Sequence, residues 1–139
     1  MWWAFMEAVR SALEAWPALS ATTVLYGTGG QVPQERTVEI VRGTEETDDL
    51  VHPRRGTVTL WLDSWVRDET DNLEVSAYPD LAALEGDVLA ALMDWQRNGD
   101  RVAGCDFNVN VRRRQPDGGI FRPVHGSRTT VSIEWRKVE

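Results

Sequence analysis

Between Arg54 and Trp95 the hydrophobic period of the chain changes from two to about 3.6, so a strand must run into a long helix there. The strand reads Thr57, Val58, Thr59, Leu60, Trp61, Leu62, Asp63, Ser64, Trp65. Successive side chains of a strand point to opposite faces. Val58, Leu60 and Leu62 therefore form one aliphatic face, which needs a helix against it. Thr57, Thr59, Trp61, Asp63 and Trp65 form the other. That second face is too apolar for a plain solvent face and too polar for a second core.

The covering helix follows. Leu81, Leu84, Val88, Leu92 and Trp95 recur at steps of three and four, on one side of an α-helix. Leu89 and Met93 widen the stripe, and Glu85 sits at its boundary with solvent. Pro79 suits the first turn, where its missing N–H has no partner to lose. Asp80 places negative charge at the positive end. Gly99 falls where a left-handed cap residue is expected.

The 139 residues suit one domain, 1–139, with a core that needs no staples. The single cysteine, Cys105, excludes an internal disulfide framework and fits a reducing compartment. A net charge of −7 argues against wrapping nucleic acid. Seven tryptophans favour a protein-binding surface. The apolar start, Met1 to Met6, lacks a basic leader and is soon interrupted by Glu7, Arg10 and Glu14, so the chain reads as soluble and cytoplasmic, with no membrane partner.

Trp2, Phe5, Met6, Val9, Leu13 and Trp16 follow helical spacing up to Pro17, which ends that helix. A β-prone run, Thr22 to Tyr26, is broken by Gly27, Gly29 and Gly30. That segment lacks the lysine and helix start of a phosphate loop, so a turn is expected. Thr37 to Val41 reads as a strand with Val38 and Ile40 on one face. Glu45, Glu46, Asp48 and Asp49 read as a solvated loop; their spacing does not match an EF-hand. After the long helix, Cys105, Phe107, Val109 and Val111 alternate with polar residues. Gln115-Pro116-Asp117-Gly118-Gly119 is turn chemistry. The chain returns through Ile120 and Phe121, breaks at His125-Gly126-Ser127, and ends in a strand placing Val131, Ile133 and Trp135 inward. The expected fold is α+β: one mostly antiparallel sheet packed by two α-helices, in the order α-β-β-β-α-β-β.

Candidate chemistry is sparse. His52 and His125 have no cysteine or second histidine at metal-ligand spacing. Cys105 alternates with core residues and reads as a small buried hydrophobe. No G-x-S-x-G elbow is present. The expectation is a protein without catalysis, cofactor or metal. Arg112, Arg113, Arg114 and Arg122 flank the Pro116 turn, either as a solvated tip or as a docking finger for an acidic partner such as Glu45 to Asp49 of a second copy. The hairpin edge offers strand addition as a further mode. Interface candidates are Trp61, Trp65, Arg112, Arg114, Pro116 and Arg122.

The pattern resembles a family. A short N-terminal helix is followed by a glycine-broken β region and the strand Gly56-Thr57-Val58-Thr59-Leu60-Trp61-Leu62. The helix carrying Leu81, Leu84, Val88 and Leu92 comes next, and a hairpin closes on Val131-Ser132-Ile133-Glu134-Trp135. Over nearly its whole length the chain is similar to the tail-terminator and tail-completion proteins of long-tailed bacteriophages, the group that includes the minor tail protein U of phage lambda. The resemblance implies a subunit made in the host cytoplasm that assembles as a homo-hexameric ring at the tail–neck junction of the virion. Such a ring caps the tail tube, stops its polymerisation and meets the head–tail connector and neck proteins. DNA passes through its lumen without specific binding. Alternatives are another connector or stopper of the neck, a small protein-binding adapter, or a small enzyme or ligand-binding domain with Trp61 and Trp65 as a pocket wall.

Overall fold

The computed structural model describes residues 1–27 and 31–138. Helix α1 spans Trp2–Ala15, followed by a 3-10 turn at Pro17–Leu19. Strands β1 (Thr23–Tyr26), β2 (Thr37–Thr47) and β3 (Arg55–Arg67) come next. A π-helical turn, Leu73–Ala77, leads into helix α2 (Tyr78–Asn98), and β4 (Cys105–Pro116) and β5 (Val124–Lys137) complete the chain. The fold is thus α+β, with the element order read from the sequence. The five strands form one sheet in the order β1-β2-β3-β5-β4. Among the described residues the β1–β2 pair is parallel and the other pairs are antiparallel.

The core lies between the two helices and one sheet face. Phe5, Met6, Val9 and Leu13 of α1 and Leu81, Leu84, Val88, Leu92 and Trp95 of α2 are buried. They meet Val38, Ile40, Val58, Leu60, Leu62, Val131, Ile133 and Trp135 from the sheet. Cross-strand partners share a face, so the register fixes this layer: Ile40 opposes Leu62, Leu60 opposes Val131, and Val58 opposes Ile133. Cys105 is buried in the same cluster.

Several local expectations are corrected. Met93 is 36% exposed, and Ala91 takes its place in the core, because α2 turns a narrower face to the sheet. Gly99 is extended (φ −74°), not left-handed. Its amide donates to the Trp95 carbonyl at 2.7 Å, and a Cβ there would stand 2.4 Å from that oxygen and 2.6 Å from the Trp95 ring. Glycine serves close approach at this point, not a positive φ.

Glu45 and Glu46 lie in β2, not in a loop. A bulge between Arg42 and Glu45 resets the alternation. Arg42 then covers the Trp2 ring at 3.8 Å, and Glu45 Oε2 accepts from the Trp2 amide at 3.2 Å. His125-Gly126-Ser127 is no break but part of β5, paired with Val66, Trp65 and Ser64. Each of these turn-type residues answers a neighbour distant in sequence: His125 meets Asp71, Gly126 the Trp65 ring and Ser127 the Glu85 carboxylate. Ile120 and Phe121 lie in the turn and are exposed, and the strand resumes only at Val124. Val111, expected inside, is 38% exposed beside a bulge between Val111 and Arg113. Of the glycine-rich segment at Gly27, residues 28–30 fall outside the described residues.

The β4 edge is partly closed. Val102 exchanges backbone bonds with Cys105, and Gln96 of α2 accepts from the Val109 amide at 2.6 Å. Beyond them come the bulge and the arginines, features that discourage edge pairing. This arrangement disfavours the strand-addition mode.

Candidate interaction surface

Both helices pack on the same side of the sheet, and no helix among the described residues covers its other face. That face carries the side chains of β3 that alternate with the core: Thr57, Thr59, Trp61, Asp63 and Trp65, all partly buried by their neighbours. The reading of a second face that is neither solvent nor core therefore holds. Flanking strands add Glu39 and Val41 from β2, and Arg128, Thr130 and Ser132 from β5.

The centre of this face is a charged and aromatic cluster. Arg128 makes two parallel bonds to Asp63, 2.8 and 2.9 Å, and lies over the Trp61 ring at 4.9 Å. The Asp63 hydrogen bonds raise the guanidinium's pKa. Glu39, opposite Asp63, is 8% exposed. Burial first, then the Asp63 charge, raise its pKa; the Trp65 indole and Arg128 partly offset them. The Trp65 Nε1 is shut off from solvent and makes no hydrogen bond of normal geometry among the described residues.

Trp65 lies flat on Gly126, where any Cβ would stand 2.4 Å from the ring. Its edge meets Phe121 at 5.7 Å between centroids. These residues, with Pro116, Asp63 and Arg128, line a cleft of about 310 Å³ at the hairpin end of the sheet.

The arginines do not form one finger. The bulge at Val111/Arg113 puts Arg112 and Arg113 on the uncovered face, opposite residues of the Thr130 and Ser132 side. Arg114 turns to the helix side, 3.5 Å from Glu85 and 3.4 Å from the Thr129 hydroxyl. Glu85 also accepts from Ser127. Arg122 is held 2.7 Å from Asp71, whose other oxygen lies 2.8 Å from His125 Nε2. The hairpin is also no free arm, because β5 pairs with β3 as far as Arg67 and Val124. Of the six interface candidates, Trp61, Trp65 and Arg112 share the open face, Pro116 joins Trp65 at the cleft, and Arg114 and Arg122 are engaged within the chain.

Sequence reasoning missed the Asp71 latch. Asp71 adopts φ 51° between Asp68, which caps the loop, and the π turn. Arg122, then His125, hold its carboxyl below the usual range. A carboxyl lowered on folding stabilises the fold above its unfolded value of about 3.9 and ceases to as pH falls through the lower folded value. Asp71→Asn keeps the backbone, since asparagine tolerates this conformation. The variant should flatten that part of the acid limb of a stability-against-pH curve; an unchanged limb would show that the latch carries no stability.

Among the described residues, no three His, Cys, Asp or Glu side chains converge as a metal site, and no helix is long and apolar enough to cross a membrane. His125 is enclosed between Asp71 and the Tyr78 ring. Leu50 and Val51, in the β2–β3 loop, are 86% and 76% exposed and were also missed. An aliphatic pair set between Asp48-Asp49 and His52-Pro53 was the available signal.

No protein-family model matches the chain, and no curated protein does. Solved structures do match. One of them, which carries no descriptive name, aligns over 96% of this chain and 96% of its own length at 16% identity and a TM-score of 0.51. At that identity the likeness concerns the fold alone.

Proposed function

We propose that this chain is a structural, non-catalytic virion subunit: a ring-forming tail terminator of a long-tailed phage. The observation that carries the reading is the uncovered sheet face. One side of a five-stranded sheet, with Trp61 and Trp65 half-buried on it, has no helix to cover it among the described residues. Indoles held in place by a sheet, with arginines beside them, have the composition of an interface core and rim. The α+β order supports the resemblance stated above, which supplies the ring of six.

The mechanism is steric. The ring seats on the growing end of the tail tube, so that no further tube subunit adds, and its opposite side meets the neck proteins. An acidic subunit, net −7, suits a lumen through which DNA must pass without being held. The test is tube growth. Purified tube protein polymerising with this chain should give tubes that stop lengthening and carry a ring at one end in negative-stain images. Unrestricted growth with no terminal density would contradict the reading.

A further inference from the structure

The two most exposed apolar features of the β2–β5 region stand at opposite ends of the same strand. At one end, the loop before β3 presents Leu50 and Val51. Asp49 Oδ1 accepts from the amides of Val51 (2.8 Å) and His52 (3.3 Å), and Asp48 Oδ1 from those of Arg54 (3.0 Å) and Arg55 (3.3 Å). The loop is therefore held in shape by its own carboxylates, with its two aliphatic side chains directed away from the fold. A tip ordered in advance loses little freedom on docking. At the other end is the cleft of about 310 Å³ walled by Trp65, Phe121 and Pro116. Ile120, next to Phe121 in the chain, is 77% exposed.

Most charges around the cleft are taken up within the chain: Arg112 lies by Glu134, Arg114 by Glu85, Arg122 by Asp71 and Arg128 by Asp63. One charge of each sign is left for a second copy. Glu46 near the tip and Arg113 near the cleft have no ion-pair partner among the described residues. The strand between them covers roughly 33 Å from Arg55 to Trp65 at about 3.3 Å per residue, so the tip cannot reach its own cleft.

We propose that copies of this chain join head to tail, the Leu50–Val51 tip of one copy seating in the Trp65–Phe121–Pro116 cleft of the next. Two different patches make a heterologous contact, the kind that closes into a ring when the rotation permits. The assignment rests on the ring reading and names the surfaces that build it.

Complementation tests it. Leu50→Asp with Val51→Asp disables the tip; Phe121→Asp disables the cleft. All three positions are exposed, so both variants should melt close to the parent chain. Each alone should self-associate at least about 30-fold more weakly and stay monomeric where the parent forms rings. An equal mixture should stop at a heterodimer, because one intact tip and one intact cleft remain. A Leu50→Cys, Phe121→Cys variant should form covalent dimers and larger species on mild oxidation, Cys105 being buried. Rings from either disabled variant, or a mixture that stays monomeric, would overturn the head-to-tail assignment while leaving the ring reading intact. A parent chain that never associates, with or without tube protein, would overturn both.

Discussion

Trp61→Ala combined with Trp65→Ala should abolish ring assembly while leaving a folded monomer. Both indoles lie on the face of β3 turned away from α1 and α2, and each rests on a local seat: Trp61 under Arg128, Trp65 on Gly126 and against Phe121. Complete burial of an aromatic is worth about 3–5 kcal/mol on truncation, and half-buried rings lose less, about 1–2 kcal/mol each. A tryptophan at the centre of an interface costs about 2 kcal/mol or more, so the pair should raise the dissociation constant by roughly a thousandfold. Sedimentation and a thermal melt read the two effects separately. If the double variant is unfolded in buffer, the indoles belong to the core and the open-face account fails.

Leu62→Ala should do the reverse, costing stability first. Leu62 is fully buried between Ile40 and Thr129 on the helix-covered face. Removing a buried leucine leaves a cavity that rigid neighbours fill only in part, at a cost of about 3 kcal/mol. For a domain of this size that lowers the melting midpoint by roughly 10–15 °C. At temperatures where the variant is folded, its assembly should match that of the parent. A change in melting below a few degrees would show that the sheet face under α1 and α2 is not the principal core.

Trp61 and Leu62 are adjacent in sequence, and the alternation of β3 was enough to place them on opposite faces. Periodicity also exposed the core sides of α1 and α2, because burial on one side leaves a pattern within a single element. Features that depend on partners distant in sequence were not legible. The bulge at Val111/Arg113, which divides the arginines between two faces, has no local signature. His125, Gly126 and Ser127 look like a turn. Each is chosen by something across the sheet or beyond it: Asp71 for His125, the Trp65 ring for Gly126, Glu85 for Ser127. Gly99 followed the same logic, being small for the Trp95 indole and carbonyl instead of left-handed for the cap. Of the candidate surface, the tryptophans were readable, whereas the cleft beside Trp65 needs Phe121 and Pro116 brought together by the hairpin.

The most direct test of the ring account is the solution mass by light scattering over a range of concentrations, alone and with purified tail-tube protein. The account predicts a species of six times the 15.7 kDa chain mass, formed with rising concentration or on tubes. A particle that keeps the mass of one chain under every condition would contradict it.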